Sequence, residues 1–167
     1  MKRAYPIAVL VLLADAVTKH LARGLREPVT LLPDILGLRY AENTGMAFSL
    51  FSGQTWMLGL LSLVCILLGW LLLRRYRLGP LSRTAAMLML GGALGNALDR
   101  LLRGYVVDMI EVLFMKFAIF NVADAALTVG CVLMAWSLLR RPDEWAPRHP
   151  ADEKPAASPP TSPADRP

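Results

Sequence analysis

The residues of this chain best suited to chemistry are two aspartates in its second half. Asp108 lies in a short polar segment between two apolar stretches, and Asp124 lies near the start of the second stretch. A charged side chain inside an apolar span is costly, so its presence suggests a function. When two carboxylates share a partly dry site, one keeps its proton while the other is charged. Such a pair can activate water for amide hydrolysis, because the charged carboxylate accepts a proton and the protonated one polarises a carbonyl.

Amide and guanidinium groups lie on the same apolar stretches. Asn96 and Arg100 are one helical turn apart before Asp108, and Asn121 precedes Asp124 by about one turn. Residues three or four positions apart share one face of a helix. We therefore expect these polar side chains to converge on one site, at the same end of two neighbouring helices.

Three classes of protein fit these residues. The first is a hydrolase that uses the carboxylate pair. The second is a small ion or proton transporter with a relay through Asp15, Lys19, Asp108 and Asp124, a role that intramembrane ionisable residues also take. The third is an assembly factor without chemistry. The sequence contains no Gly-x-Ser-x-Gly, His-Glu-x-x-His or Walker motif. On the residues alone, the hydrolase and the relay are equally supported.

The elements that must position these residues are long apolar helices. The chain of 167 residues is 55% hydrophobic and 19% charged, and its apolar residues lie in long runs. This composition is typical of a polytopic membrane protein. Four spans are predicted, at about residues 6–21, 55–73, 84–102 and 117–139. The net charge of +5 comes largely from basic residues that flank these spans, so it does not indicate a nucleic-acid partner.

The first span contains an acid–base pair. Asp15 and Lys19 are four residues apart on one helix face, and we expect an ion pair that points into the bundle and supports its structure. The region also resembles a secretory signal peptide, because Ala14-Asp15-Ala16 fits the pattern before a cleavage site. The apolar pattern continues through Leu21, however, so an uncleaved span is the preferred interpretation.

The segments outside the spans predict a small sheet and a tail. Residues 29–32, 36–40 and 47–51 are short strand-like pieces between turn residues, and we expect them to form a β-cradle at the outer membrane face. From residue 142 the chain is rich in proline, alanine, serine and charge, which is typical of disorder. The predicted domains are a four-span membrane domain at residues 1–141 and a disordered cytoplasmic tail at residues 142–167.

The basic residues predict the orientation in the membrane. With four spans, one side carries both termini together with Lys2, Arg3, Arg74, Arg75, Arg77, Arg83, Arg140 and Arg141. The positive-inside rule then places both termini in the cytoplasm and Asp108 outside. If the fourth span begins near residue 117, Asp124 lies roughly 10 Å below the outer face, at ~1.5 Å of rise per residue.

Five motifs occur in order along about residues 6–140. They are the Asp15-xxx-Lys19 pair, the Asn43-x-Gly45-x-Ala-Phe48 segment, the Gly92-xxx-Asn96-xxx-Arg100 stretch, Val107-Asp108 and Asn121-x-x-Asp124. In this combination the chain resembles the lipoprotein signal peptidases, the bacterial type II signal peptidases. These are aspartic peptidases of the inner membrane that cut prolipoproteins just before a cysteine carrying a diacylglyceryl group.

The resemblance implies a role for each motif. Asp108 and Asp124 would form the catalytic dyad. The residues that bind substrate or orient the dyad would be Asn43, Gly45, Asn96, Arg100 and Asn121. Asp15, Lys19 and Gly92 would support the structure.

The resemblance also implies a setting for the site. The expected fold is a membrane all-α bundle of four transmembrane helices with the β-cradle, and the active site would face the periplasm. We expect no metal and no other cofactor. The expected partners are lipid-modified prolipoproteins, membrane lipid and the inhibitor globomycin, with no nucleic acid and a monomeric protein. Cys65 and Cys131, which lie in apolar runs, are predicted to be buried free thiols.

Overall fold

The protein is largely helical, with two small antiparallel sheets. A computed structural model describes residues 4–45, 51 and 53–148. Within that part of the chain, the long helices are α1 (Tyr5–Ala22), α2 (Thr55–Leu73), α3 (Pro80–Arg103) and α4 (Val122–Arg140). The strands are β1 (Val29–Leu32), β2 (Leu36–Asn43), β3 (Tyr76–Leu78), β4 (Val106–Val112) and β5 (Trp145–Pro147), and a 3-10 turn at Pro142–Glu144 follows α4.

Helix α3 lies at the centre of the bundle, where it packs against α1, α2 and α4. Its glycines allow this packing. A Cβ atom on Gly92 would lie 2.3 Å from the carbonyl oxygen of Ala123, so only glycine lets α3 approach the first turn of α4 this closely. A Cβ atom on Gly91 would likewise lie 2.8 Å from Cβ of Val11 on α1. The small face of α3 therefore serves helix packing.

Three helices, α1, α2 and α4, are long and apolar enough to cross a membrane. The bounds of α2 are those expected from its uninterrupted apolar run. Within the described residues α3 does not reach the same hydropathy, because glycines, Arg83 and Asn96 interrupt its leucines and methionines. The expected helical architecture is thus confirmed in its coarse form, with three helices apolar enough to cross a membrane and a more polar central helix.

Helix α4 begins later than the sequence suggests. The apolar pattern predicts a start near residue 117, whereas the first helical residue is Val122. Residues 117–119 have no regular secondary structure, and Phe120 forms an isolated bridge with Ile110 of β4. Asp124 therefore lies in the first turn of α4, and the predicted helix start near residue 117, from which its depth was counted, is wrong.

The larger sheet has the order β1–β2–β4. Strands β1 and β2 lie where strands are predicted, while the predicted strand at 47–51 falls almost entirely outside the described residues. Strand β4 was not predicted, because the polar segment around Asp108 suggests a loop. Its β-branched residues pair with β2 instead, and the register places Ala41 opposite Asp108. One end of this sheet is thereby brought to the helix ends that carry the other polar residues.

The chain continues in ordered structure beyond residue 141, where the predicted tail begins. Strand β5 pairs with β3, which follows α2 directly. The Glu144 carboxylate accepts a hydrogen bond of 3.1 Å from the backbone N–H of Ser82 at the start of α3. The Ser137 hydroxyl accepts a hydrogen bond of 3.1 Å from Nε1 of Trp145, which holds this segment against α4. Residues 149–167 of the predicted tail lie outside the described residues.

Candidate active site

Asp124 is positioned by the start of α4. Asn121 is the residue before the helix, and its side-chain oxygen accepts a 2.8 Å hydrogen bond from the backbone N–H of Asp124. The Asp124 carboxylate accepts one of 3.2 Å from the backbone N–H of Asn121 in return. This reciprocal capping box satisfies two N–H groups that a helix N-terminus leaves unpaired. It also fixes the rotamer of Asp124.

Asn121 joins the two aspartates. Its Nδ2 donates hydrogen bonds of 2.7 Å to Oδ1 of Asp108 and 3.1 Å to Oδ1 of Asn96. The residue is fully buried, so these contacts are shielded from solvent competition. Every polar atom of the Asn121 side chain thus serves either the helix cap or the carboxylate site.

Asn43 reaches Asp108 from the end of β2. Its Nδ2 donates a hydrogen bond of 3.0 Å to Oδ2 of Asp108, and its Oδ1 accepts one of 3.0 Å from the backbone N–H of Gly45. Turn chemistry is therefore present at Asn43, together with a direct contact to a carboxylate. Nη2 of Arg100 donates a hydrogen bond of 3.1 Å to the carbonyl oxygen of Gly45, which ties this turn to α3.

Asn96 supplies the matching contact on the other carboxylate. Its Nδ2 donates a hydrogen bond of 2.7 Å to Oδ1 of Asp124. Each of the two aspartates is thus held by an asparagine amide on one oxygen and by Asn121 on the other. The structure brings together the predicted residues Asn43, Asn96, Asn121, Asp108 and Asp124.

The two carboxylates differ in their surroundings. Asp108 is only 3% exposed, whereas Asp124 is half-buried. Burial raises the pKa of Asp108 to about 6, and the neighbouring charge of Asp124 raises this pKa as well. The hydrogen bonds from Asn43 and Asn121 lower this pKa, and so does the charge of Lys19. At neutral pH this carboxylate therefore lies within reach of protonation, which an ordinary aspartate does not.

A buried ion cluster lies behind the carboxylate site. The Lys19 ammonium is 2.7 Å from Oδ2 of Asp15 and 2.9 Å from Oδ2 of Asp99. The predicted pair of Asp15 and Lys19 is formed, and Oδ1 of Asp15 accepts a 3.0 Å hydrogen bond from the backbone N–H of Ala123. The cluster therefore connects α1, α3 and the first turn of α4.

Asp99 is the residue of this cluster that sequence reasoning missed. Its position beside Arg100 suggests an ion pair between these two neighbours, but Asp99 binds Lys19 and Arg103 instead. The spacing of four residues between Asp99 and Arg103 was the signal available in the sequence. This spacing predicts the ion pair with Arg103 at the surface, and it does not predict the buried ion pair with Lys19.

Two cavities meet at Asp124. One, of about 490 Å³, lies between the sheet and α4 and is bounded by Asp108, Asp124 and the ring of Phe117. The other, of about 480 Å³, is an apolar groove between α2 and α3 that extends from Asp124 to Leu73. Four residues line both cavities: Asn96, Arg100, Asp124 and Leu127. A polar site thus lies where two grooves join.

The cysteines differ from expectation. Both Cys65 and Cys131 are free, as predicted, but they are exposed on the surfaces of α2 and α4 and not buried. The apolar run of each helix faces outward over much of its length, so a residue within it need not lie in the core. Cys65 lines the groove between α2 and α3.

The fold and the site together define a membrane enzyme with a carboxylate centre, and two solved structures share this architecture. Both are described as bacterial membrane enzymes solved by the in meso method. The one at 2.3 Å resolution has a TM-score of 0.78 and 29% identity, and covers 84% of this chain and 89% of that chain. The one at 1.9 Å resolution has a TM-score of 0.76 and 29% identity, and covers 84% and 95%.

Sequence comparisons identify the family. The family model described as signal peptidase (SPase) II matches residues 7–140. A lipoprotein signal peptidase of Latilactobacillus sakei is 46% identical over 109 residues, which are 64% of this chain and 72% of that protein. One from Streptococcus pyogenes is 36% identical over 149 residues, 85% of this chain and 97% of that protein. The chain belongs to the signal peptidase II family. It is therefore a peptidase, and the relay and the assembly factor are set aside.

Proposed function

We propose that this protein is an aspartic endopeptidase that removes the signal peptide from prolipoproteins by cutting before the diacylglyceryl-modified cysteine. The observation that carries the proposal is the linkage of Asp108 and Asp124 through one buried amide, Asn121. This linkage holds two carboxylates of unlike environment at the junction of two grooves. It supports general acid–base catalysis on a bound water molecule.

Asp124 is the general base in this mechanism. It is the more exposed of the two carboxylates, so water reaches it more readily. It also lies in the first turn of α4, where the partial positive charge of the helix N-terminus stabilises an anion. Asp108 holds the shared proton, because burial and the nearby charge of Asp124 raise its pKa.

The reaction proceeds without a covalent intermediate. Asp124 takes a proton from water as the water oxygen attacks the scissile carbonyl, and Asp108 gives its proton to the carbonyl oxygen. The resulting gem-diol collapses when Asp108 takes back a proton from one hydroxyl and Asp124 protonates the leaving nitrogen. The C–N bond breaks, a carboxylic acid and an amine leave, and the dyad returns to its starting protonation state. No cofactor takes part in these steps.

Arg100 is placed to bind the substrate backbone. One nitrogen of its guanidinium is engaged with Gly45. Its Nε is buried and has no hydrogen-bond partner among the described residues. A buried donor without a partner is costly, and a peptide carbonyl in the site would satisfy it. We assign Arg100 and Gly45 to substrate binding, and Asn43, Asn96 and Asn121 to orienting the dyad.

The two grooves suit a lipid-modified peptide. The groove between α2 and α3 is lined mainly by leucine, isoleucine, methionine and tryptophan, and it offers an apolar surface next to Asp124. The second cavity is lined by Phe117 and Phe120 and shares Asp124 with the first groove. The signal peptide and the acyl chains can thus leave the scissile bond in different directions. Membrane lipid is the solvent of the apolar groove between α2 and α3.

The orientation follows from charge. In our proposal all four long helices cross the bacterial inner membrane, with α3 shielded from lipid by the others. The arginines near the end of α2, the start of α3 and the end of α4 then face the cytoplasm together with both termini. The sheet β1–β2–β4 forms the cradle at the outer face, and the dyad opens to the periplasm. The protein acts as a monomer, because one chain supplies every residue of the site.

The direct test is processing of a purified precursor. We expect the protein to release the signal peptide from a diacylglyceryl-modified precursor in detergent or lipid, and to leave the unmodified precursor uncut. Cleavage of both precursors at equal rates would show that the enzyme does not recognise the diacylglyceryl group. Absence of any cleavage would refute the proposed activity.

A further inference from the structure

Lys19 has more contacts than a structural ion pair requires. The residue is 2% exposed, and its ammonium lies 2.7 Å from Asp15 and 2.9 Å from Asp99. It also donates a hydrogen bond of 3.0 Å to Oδ1 of Asn96. An ammonium has three N–H donors, and here three side-chain oxygen atoms lie within 3.0 Å of the nitrogen. One carboxylate is sufficient to neutralise a lysine, so the third contact calls for its own explanation.

The third contact determines which way the Asn96 amide points. Oδ1 of Asn96 accepts from Lys19 and from Nδ2 of Asn121. Its Nδ2 consequently faces Oδ1 of Asp124, to which it donates over 2.7 Å. In the opposite orientation the amide NH₂ would face an ammonium, and the amide oxygen would face a carboxylate. Both contacts would be repulsive in a buried setting.

We propose that Lys19 is a positioning residue of the dyad, whose charge holds the Asn96 amide in the orientation that donates to Asp124. This inference rests on the proposed function. It assigns to Lys19 a part in the reaction, exerted through Asn96, in addition to support of the bundle. Without the ammonium, Oδ1 of Asn96 keeps only the 3.1 Å hydrogen bond from Asn121, so the orientation that donates to Asp124 is held less firmly.

The charge of Lys19 also reaches the second aspartate. It lowers the pKa of Asp108 against the larger effect of burial. The groups that face Lys19 are Asp15 from α1, and Asp99 and Asn96 from α3. The groups that act on Asp108 are Asn43, Asn121, Asp124 and Lys19, and the Arg100 guanidinium also interacts with its charge. Asp15 is not among the causes of the Asp108 shift, which makes it a suitable control.

The test compares Lys19→Met with Asp15→Asn. Methionine keeps the length of the lysine side chain but removes its charge and its N–H donors. Asparagine at position 15 breaks the same ion pair, keeps an oxygen for the N–H of Ala123 and leaves the contact between Lys19 and Asn96. Both variants are expected to lower the melting temperature. Only Lys19→Met should lower kcat, by about 10- to 100-fold, and move the inflection of kcat/KM near pH 6 to higher pH.

The outcome separates this inference from the proposed function. Folded Lys19→Met with the kcat and the pH inflection of wild type would overturn the positioning role, while cleavage by wild type would still stand. Equal displacement of the pH inflection by both variants would also overturn the positioning role, because a general loss of packing would then explain the displacement. If Lys19→Met does not fold, Lys19→Gln keeps polar contacts without the charge and is expected to show the same displacement of the inflection.

Discussion

Asn121 donates a 2.7 Å hydrogen bond to Asp108 while it caps the helix whose first turn carries Asp124. The same side chain therefore sets both the start of α4 and the geometry of the carboxylate pair. Such sharing means that the local stability of the helix and the order of the site depend on each other. Substitutions that retain one function and remove the other can separate the two contributions.

Asn121→Ser should separate capping from the contact with Asp108. Serine is a good helix cap, so the melting temperature should stay close to that of wild type. It lacks the Nδ2 donor, and kcat should fall about 100-fold because Asp108 loses its link to the rest of the site. Asn121→Ala should lose both functions, with a further cost of about 1 kcal/mol from the missing cap. Near-normal kcat in folded Asn121→Ser would show that this link is not needed.

The pH dependence should report the proton on Asp108. The pKa of Asp108 in the folded protein is raised to about 6, so the proton is bound below this pH and lost as the pH rises through it. In our mechanism the active dyad carries that proton, and kcat/KM should therefore fall as the pH rises through about 6. The fall in kcat should occur at higher pH, because a bound apolar substrate removes more water from the carboxyl group. A rise of kcat/KM through the same range would reverse the assignment of acid and base.

Two native cysteines can probe the apolar groove. Cys65 lines the groove between α2 and α3, whereas Cys131 lies on the exposed surface of α4 and lines neither cavity. A bound lipid-modified precursor should slow alkylation of Cys65 by N-ethylmaleimide and leave Cys131 unchanged. Peptide mapping by mass spectrometry measures both rates in one sample, with Asp108→Asn used to prevent turnover. Equal labelling of Cys65 with and without precursor would show that the precursor does not bind in this groove.

The chain beyond α4 should matter for stability only as far as Arg148. Deletion of residues 149–167 should leave the melting temperature and kcat unchanged, in keeping with a tail outside the peptidase domain. Deletion of residues 142–167 should lower the melting temperature, because α3 then loses the Glu144 carboxylate that accepts from Ser82. Glu144→Gln tests the same contact with the strand pairing retained, and should cost about 1 kcal/mol. Identical melting temperatures for both deletions would show that residues 142–148 do not contribute to the stability of the fold.

The helices were the part of the fold most open to prediction. An uninterrupted apolar run specified α2 to the residue, since nothing in it competes with a span. The start of α4 was misplaced because residues 117–120 are apolar but precede the helix, and hydrophobicity alone does not locate a cap. The Asn121 and Asp124 pattern was the better signal, since an N-cap with an acidic residue three positions later is typical of a helix start.

Long-range contacts set the limit of sequence reasoning about the site. The resemblance suggested which residues belong to it, and the structure brings the predicted asparagines and aspartates together. The partner of each amide could not be predicted, because Asn43 meets Asp108 only through pairing of β2 with β4. The contact of Lys19 with Asp99 was missed for the same reason, since it depends on how α1 packs against α3.

In the proposed mechanism, Asp108 and Asp124 together carry out the hydrolysis. The most direct measurement is single-turnover processing of a diacylglyceryl-modified precursor by wild type, Asp108→Asn and Asp124→Asn. Thermal unfolding should establish that both variants are folded. We predict that wild type releases the signal peptide, and that each variant is slower by at least about 1,000-fold, because each lacks either the acid or the base. A folded variant of either aspartate with near-normal cleavage would contradict the dyad and place the chemistry elsewhere.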